Sequence, residues 1–261
     1  MKLAEKNWPG PMTMVMKKSD AVPLGTTGGL QTVAVRMPAH PIALEMIRHG
    51  GGYIAAPSAN TSGRPSPTLA SHVADDMTGI IPMILDGGAV GIGIESTIVD
   101  LTEEIPTILR PGFITREMLE EVVGEVQMDK GLDADSKTPP KAPGMKYRHY
   151  APKAELIIVE GASEAVVARI NEFVKENEAK GICTGIIGTE ETVSRYSAGI
   201  VKSMGTRNDE LSISSRLYGI LREFDESDAK VIYSESFEEG VLGSAIMNRL
   251  LKAAGHKIIY V

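Results

Sequence analysis

The sequence predicts an α/β protein with two domains, because three features occur together. From about residue 155 onward, short apolar runs alternate with amphipathic segments, which is typical of a doubly wound, mostly parallel, Rossmann-like sheet. Residues 131–153 have no apolar period and are rich in proline and lysine, so they predict a connector. In the first half, glycine and small hydroxyl residues fill the loops between apolar runs, and such loops let backbone N–H groups approach an anion.

These features divide the chain into a domain at residues 1–130, a basic proline-rich linker at 131–153 and a second domain at 154–261. In the first domain, apolar runs predict strands at residues 32–37, 53–57, 82–86, 96–101 and 106–110. Helical periodicity predicts helices around residues 41–49, 68–77 and 115–123. This half is the less regular of the two.

In the second domain, short apolar runs predict five strands, at residues 155–159, 182–187, 198–203, 229–234 and 257–261. Ser163 is a plausible N-cap for a helix after the first strand, and this helix is expected to end near Gly181. Its apolar stripe, and the stripes of two later helices, predict which side chains face the core: Val166, Val167, Ile170, Phe173 and Val174; Leu217, Ile220, Leu221 and Phe224; Ala245, Ile246, Leu250 and Ala253.

Composition excludes several classes of function. The chain of 261 residues carries a formal net charge of −7, which argues against coating nucleic acid or an anionic membrane over a broad face. A single cysteine, Cys183, excludes an internal disulfide and a thiolate-cluster metal site. The five histidines are scattered without metal-ligand spacing, and no segment predicts a membrane span. We expect a cytosolic protein.

A hydroxyl-rich segment is the first candidate binding element. Residues 55–67, "AAPSANTSGRPSP", follow a predicted strand and offer many short donors stiffened by proline. We call its part from Ser58 to Ser66 the hydroxyl loop. Taken alone, a polar surface turn explains this segment equally well.

Arginines at strand ends are the second candidate. Arg36 ends one predicted strand and Arg110 another, and a guanidinium at a strand end suits carboxylate or phosphate. Ser96 begins a further strand after a glycine-rich loop. A surface ion pair is the alternative for each arginine, and Thr97 is more simply a buried strand residue. Because both arginines lie beside hydroxyl-rich loops, the sequence nevertheless favours an anion-binding site.

The absence of common catalytic motifs restricts the chemistry. The sequence has no P-loop, no G-x-G-x-x-G dinucleotide turn and no G-x-S-x-G elbow. With no convincing nucleophile, an enzyme of this sequence would act by orienting its substrates and stabilising charge. Between Lys137 and Lys153 there are five Lys or Arg, one His and no acidic residue. A solvated tether is one interpretation of this basic segment, and a polyanion-binding strap is the other.

Six motifs together resemble a known family. "NWPGPMT", "GLQTVAVRMPAHP", "APSANTSGRPSPT", "GIESTIVDL", "LRPG" and "APGMKYRHYAPKA" occur in the order found in the long, two-domain form of the YrdC-like threonylcarbamoyl-adenylate synthases. "LGSAIMNRLLKAAG" is similar to the family's C-terminal domain. The resemblance implies a YrdC-like twisted open sheet with a central cavity, followed by the Rossmann-like domain.

The resemblance implies condensation of L-threonine, bicarbonate and ATP, with Mg²⁺, into threonylcarbamoyl-AMP and pyrophosphate. Downstream proteins then use the product to modify adenosine beside the anticodon of certain tRNAs. By resemblance the chain binds ATP through Thr32, Ser58, Asn60, Ser66, Arg110, Lys146, Tyr147, Arg148 and His149. Threonine is assigned in the same way to Arg36, Ala56, Ser58 and Ser96. We expect these residues to converge on one pocket, with the basic segment over its mouth and no catalytic side chain.

One departure and two alternatives accompany the resemblance. Family members begin with a further strand–helix–strand portion that carries a Lys/Arg motif, so we expect the fold to be N-terminally incomplete and the chain alone to make little product. A non-catalytic RNA- or nucleotide-binding module of the same fold, with a possible weak tRNA contact, is the alternative function. A related domain in hydrogenase maturation carries cysteine zinc motifs, which one cysteine excludes.

Overall fold

A computed structural model describes residues 1–132, 150–197, 199–237 and 240–261. These residues form two compact units. The first unit contains residues 1–57 and 95–132, and the second contains residues 58–94 and 150–261. The sequence-based division at residues 130 and 153 stays a prediction, since most of the proposed linker lies outside the described residues.

The first unit is a five-stranded mixed sheet in the order β2-β1-β3-β4-β5. Strand β1 pairs antiparallel with β2 and parallel with β3, β3 pairs antiparallel with β4, and β4 pairs parallel with β5. The elements of this unit are α1 (Lys2–Asn7), β1 (Met12–Lys17), β2 (Thr32–Val35), α2 (Pro41–His49), β3 (Thr97–Asp100), β4 (Thr107–Arg110), α4 (Arg116–Val123) and β5 (Gln127–Met128).

One face of this sheet packs on α1 and α4. Thr115 caps α4 by accepting a hydrogen bond from the Met118 N–H at 3.4 Å, and Leu119 brings the helix into the core. The core residues are apolar side chains from the sheet and from both helices: Leu3, Met12, Met14, Val99, Ile108, Ile114, Leu119 and Val126.

The second unit is built on a wholly parallel sheet in the order β10-β6-β9-β7-β8. All five predicted strands of the C-terminal half are present, so the doubly wound prediction is confirmed, and the sheet is parallel throughout. The elements of this unit are α3 (Ala70–Met77), β6 (Glu155–Glu160), α5 (Ser163–Glu178), β7 (Thr184–Gly188), β8 (Ile200–Ser203), α6 (Glu210–Asp225), β9 (Val231–Glu235), α7 (Gly243–Ala254) and β10 (Ile258–Tyr260).

The side chains of the predicted apolar stripes are buried as expected, apart from that of Phe173. That ring is partly buried and stacks on Tyr233 with 4.9 Å between centroids. The predicted N-cap was wrong, because Ala162 caps α5 and Ser163 is its first helical residue. Asp209 caps α6 with bonds of 3.1 and 3.3 Å from two backbone N–H groups, those of Leu211 and Ser212.

Two predicted strands in the first half were wrong. Residues 53–57 and 82–86 are irregular backbone, and their apolar side chains are exposed apart from the half-buried Ile84, with Tyr53 89% and Met83 70% accessible. A run of apolar residues forms a strand only where a neighbouring strand pairs with it, and none of the described strands pairs with these runs. The sequence analysis also missed α1, β1 and the two-residue β5.

No helix in the described ranges is long and apolar enough to cross a membrane.

Candidate functional site

Three polar side chains meet at one edge of the first unit's sheet, where β1 and β3 begin and β4 ends. The Thr13 and Ser96 hydroxyls are 2.7 Å apart. Arg110 donates from Nε and Nη2 to the Ser96 carbonyl oxygen at 3.2 and 3.1 Å, and from Nη2 to the Ser96 hydroxyl at 3.4 Å. We call Thr13, Ser96 and Arg110 the strand-end cluster. All three are half-buried.

The register of the sheet creates this cluster. Strand β3 runs parallel to β1 with Thr97 opposite Met12, so Ser96 lies beside the start of β1. Strand β4 runs antiparallel to β3, so its last residue, Arg110, returns to the first residues of β3. A register shift between Ile98 and Val99 places Arg110 opposite Ile98.

A glycine lets the next turn pack against Ser96. A Cβ added to Gly112 would lie 2.6 Å from the Thr97 nitrogen and 2.8 Å from the Glu95 carbonyl oxygen. Thr97 itself is fully buried and donates to the Ile114 carbonyl oxygen at 2.7 Å, so the structural interpretation of that threonine is confirmed. Close packing against the residues before and after Ser96 therefore restricts the position of Ser96.

The strand-end cluster places one guanidinium beside two small hydroxyl groups. A guanidinium fork held in one orientation suits a carboxylate or a phosphate, and nearby hydroxyls add neutral donors. Of the predicted ligands in this unit, the structure brings Ser96 and Arg110 together. Sequence reasoning missed Thr13, although it alternates with the buried Met12 and Met14 on β1 and therefore points to the other face.

The other predicted ligands of the first unit lie on other elements. Thr32 is the first residue of β2 and is half-buried, opposite Lys17. Arg36 follows β2, and the protein atoms around its guanidinium desolvate it and lower its pKa. Ala56 is exposed in irregular backbone. The proposed convergence of all these residues on one pocket stays a prediction.

The hydroxyl loop belongs to the second unit. Ser58 is exposed, whereas Ser66 is 9% accessible. The Asn60 side chain donates from Nδ2 to the carbonyl oxygens of Thr61 and Arg64, at 2.9 and 3.3 Å. Its other atom, Oδ1, is a buried acceptor without a hydrogen-bond partner among the described residues. An unsatisfied buried acceptor is costly, and a ligand that donates a hydrogen bond to it would remove that cost.

A buried carboxylate holds one end of the hydroxyl loop. Asp76 on α3 accepts from the Thr61 N–H at 3.2 Å, from Arg64, and from Arg222 on α6 at 2.7 Å. Burial alone would raise the pKa of Asp76. The hydrogen bond and charge of Arg222, the Thr61 N–H and Arg64 outweigh that cost, so the pKa lies below its ordinary value.

Arg222 holds the other end of the loop. Its side chain is 4% accessible, and it donates from Nε and Nη2 to the Pro65 carbonyl oxygen at 3.1 and 2.7 Å. Sequence reasoning missed both Asp76 and Arg222. The only signal was their place among apolar residues on predicted helices, which reveals burial but not the partner.

Four predicted polyphosphate ligands, Lys146, Tyr147, Arg148 and His149, lie outside the described residues.

The requirement for Mg²⁺ stays a prediction. Among the described residues, no group of three or more His, Cys, Asp or Glu side chains is placed to hold a metal ion. Mg²⁺ in nucleotide enzymes keeps several waters and is held largely by substrate phosphates. The strand-end cluster offers hydroxyl and guanidinium groups, which suit an anion rather than a cation.

Two family models together match nearly the whole chain. The Sua5 C-terminal model, described as "Threonylcarbamoyl-AMP synthase, C-terminal domain", matches residues 114–255. The Sua5/YciO/YrdC model, described as "Telomere recombination", matches residues 1–112. The fold and these matches define a two-domain α/β protein of the Sua5 type.

Curated relatives and solved structures agree with this class. The chain is 49% identical to the threonylcarbamoyl-AMP synthase of Bacillus subtilis over 98% of its length and 73% of the relative's. It is 49% identical to the Pyrococcus abyssi protein of the same name over 99% of its length and 74% of the relative's. A crystal structure of P. abyssi Sua5 complexed with L-threonine superposes with a TM-score of 0.92 at 47% identity, covering 99% of this chain and 74% of that one. The chain belongs to the threonylcarbamoyl-AMP synthase family.

Proposed function

We propose that this chain is an L-threonylcarbamoyladenylate synthase, a nucleotidyltransferase that converts L-threonine, bicarbonate and ATP into threonylcarbamoyl-AMP and pyrophosphate. The observation that carries the proposal is 49% identity, over nearly the whole chain, to two proteins that bear this name. The TM-score of 0.92 to a relative complexed with L-threonine supports threonine as one substrate.

The proposed chemistry needs no side-chain nucleophile. The threonine amine adds to the carbon of bicarbonate, and loss of water leaves a carbamate. A carbamate oxygen then attacks the α-phosphorus of ATP, a new P–O bond forms, and the bond to the bridging oxygen breaks to release pyrophosphate. Holding the reactants in line and stabilising the charge that passes to pyrophosphate supply the rate enhancement.

Each unit contributes residues to this proposal. In the first unit, Arg110 binds the nucleotide phosphates, Ser96 and Arg36 bind threonine, and Thr32 faces the nucleotide. In the second unit, Ser58, Asn60 and Ser66 of the hydroxyl loop bind ATP, and Ser58 also contacts threonine. The buried acceptor on Asn60 supports a nucleotide contact, because it suits a donor such as an exocyclic amine.

The wider setting is also part of the proposal. ATP enters with Mg²⁺, and bicarbonate supplies the carbamoyl carbon. The product passes to proteins that transfer the threonylcarbamoyl group to tRNA, with at most a weak contact between this chain and tRNA itself. A cytoplasmic location follows, since tRNA is modified there.

Product formation tests the proposal directly. The chain, at a concentration equal to that of ATP, is incubated with Mg²⁺, L-threonine and ¹⁴C-bicarbonate, so that even a single turnover is visible. We expect labelled threonylcarbamoyl-AMP by mass spectrometry and scintillation counting, and none when threonine is omitted. Release of pyrophosphate without threonine, or no labelled adenylate at stoichiometric protein, would contradict it.

A further inference from the structure

Helix α6 carries a buried arginine that binds another segment of the chain. Arg222 lies on this helix, and its hydrogen bonds go to the backbone and side chains of residues 65–76. Two reach the Pro65 carbonyl oxygen, one reaches the His72 carbonyl oxygen at 3.4 Å, and one reaches Asp76. Hydrogen bonds from this one guanidinium therefore connect the hydroxyl loop to α3.

The two anchor points lie on either side of Arg64. Upstream, the Thr61 N–H donates to Asp76, and downstream the Pro65 carbonyl oxygen accepts from Arg222. Arg64 itself binds Asp76, and its Nη2 is 3.6 Å from Asp225. Both ends of this short stretch thus connect to one network of two arginines and two aspartates. Asn60 lies just before the first anchor and Ser66 just after the second.

Further hydrogen bonds hold the neighbouring backbone. Thr68 donates from its N–H to Nδ1 of His72 at 3.2 Å. Burial, and then the charge of Arg222, lower the pKa of His72, which keeps the ring neutral and its Nδ1 able to accept. The Gly63 carbonyl oxygen accepts from the Ala151 N–H at 3.1 Å.

Stability alone is a poor reason for this network. Taking a guanidinium and a carboxylate out of water carries a large desolvation cost, and well-packed apolar residues often stabilise a fold as well or better. What a planar fork provides, and an apolar contact does not, is direction, because it fixes the carbonyl oxygen of Pro65 in a set position. A site that must present donors within a fraction of an ångström needs such support.

We propose that Arg222 is a positioning residue for nucleotide binding, acting with Asp76 to hold the hydroxyl loop in its ligand-binding conformation. The inference rests on the proposed function and deepens it, since it gives the C-terminal half of the chain a part in binding ATP. Arg222 does not touch the substrate; it acts through Asn60, Ser66 and the backbone between them.

The test uses Arg222→Lys, which keeps the charge and removes the fork, with Arg216→Lys as the matched control. Arg216 is exposed on the same helix. Hydrogen–deuterium exchange reports the loop directly. We expect exchange of residues 58–66 to rise about tenfold in Arg222→Lys, while peptides of α5 and the parallel sheet keep the parent's rates, because the loss is local. Arg216→Lys should match the parent throughout.

Calorimetric titration reports the consequence for binding. We expect the Kd for Mg·ATP to rise about tenfold in Arg222→Lys, and the Kd for L-threonine alone to rise less, by about threefold at most, because Ser96 and Arg36 lie outside the loop and Ser58 is the one assigned threonine contact within it. A purely structural role would weaken the binding of both ligands equally or of neither. Asp76→Asn, which keeps the shape of the side chain and weakens both anchors, should reproduce the pattern if Arg222→Lys folds poorly.

Three outcomes would overturn the inference. Unchanged exchange of residues 58–66 in both variants means that the network does not hold the loop. Raised exchange with an unchanged Kd for Mg·ATP means that the held conformation has no part in binding. A parent chain that binds no Mg·ATP removes the proposed function and this inference with it, and the parent's own titration identifies that case.

Discussion

Strand pairing holds Ser96 and Arg110, whereas buried ion pairs hold the hydroxyl loop. In the strand-end cluster, the register of β1, β3 and β4 decides which side chains meet, and Arg110 binds a residue 14 positions away. In the hydroxyl loop, the supporting arginine comes from 157 positions away. Residues with similar proposed roles can therefore depend on different parts of the sequence.

The largest expected effect is the loss of the carboxylate that anchors the loop. Asp76→Ala leaves Arg222 buried beside one fewer anion, and breaking a buried pair from one side typically costs about 3–5 kcal/mol of unfolding free energy. Urea denaturation followed by circular dichroism measures it. Asp75 is exposed beside it, so Asp75→Ala should change the unfolding free energy by less than about 0.5 kcal/mol. Equal effects of the two variants would remove the anchor from the account.

The strand-end cluster should be sensitive to backbone crowding. A methyl group at Gly112 would press on the Thr97 nitrogen and the Glu95 carbonyl oxygen, so Gly112→Ala should cost about 1–3 kcal/mol and displace Ser96. Gly91 has no atom within 4 Å of an added Cβ, and Gly91→Ala is the control. The same urea experiment compares them. A neutral Gly112→Ala would show that the turn has room to shift.

A third variant separates binding from stability. Arg110→Lys keeps the positive charge but loses the paired donors that hold it on Ser96, so the Kd for Mg·ATP should rise about tenfold while unfolding changes little. Arg116→Lys is the control, because Arg116 is exposed and pairs with Glu120 along α4. Calorimetric titration measures the Kd for Mg·ATP of both variants and of the parent. Identical affinity in Arg110→Lys and the parent would contradict a phosphate-binding role.

The smallest expected effect is a pH dependence. The pKa of Asp76 is lower in the folded than in the unfolded chain, so its contribution is fully present above the unfolded pKa and is lost as pH falls through the folded value. Below about pH 5 the parent should lose stability more steeply than Asp76→Asn, by at most about 1.4 kcal/mol per pH unit for one proton. Urea midpoints at several pH values measure the slopes. Parallel slopes would show that Asp76 titrates normally.

The C-terminal half of the fold was predicted from the sequence more completely than the N-terminal half. Five parallel strands and their helical stripes follow from local periodicity, which is why residues 155–261 were predicted nearly in full. The apolar runs at 53–57 and 82–86 have the composition of strands, and only the absence of a pairing strand in the described sheets distinguishes them. Pairing is a tertiary property that periodicity does not contain.

The candidate site divides in the same way. Arg110 and Ser96 were recognised because a strand end is a local feature. Thr13 was missed because a threonine on an alternating strand has no special composition. Asp76 and Arg222 were missed because each pairs with the other only after the chain folds, at a separation of 146 residues. Local pattern revealed the groups proposed to touch ligand and not the groups that hold them.

The decisive measurement is the coupling between ATP binding and threonine binding. Mg·ATP is titrated by calorimetry into the parent chain with and without saturating L-threonine, and threonine is titrated with and without a non-hydrolysable ATP analogue. We expect each ligand to lower the Kd of the other by the same factor, as linkage requires. Independent affinities, together with RNA binding that weakens steeply with salt, would contradict a synthase and favour a nucleic-acid-binding module.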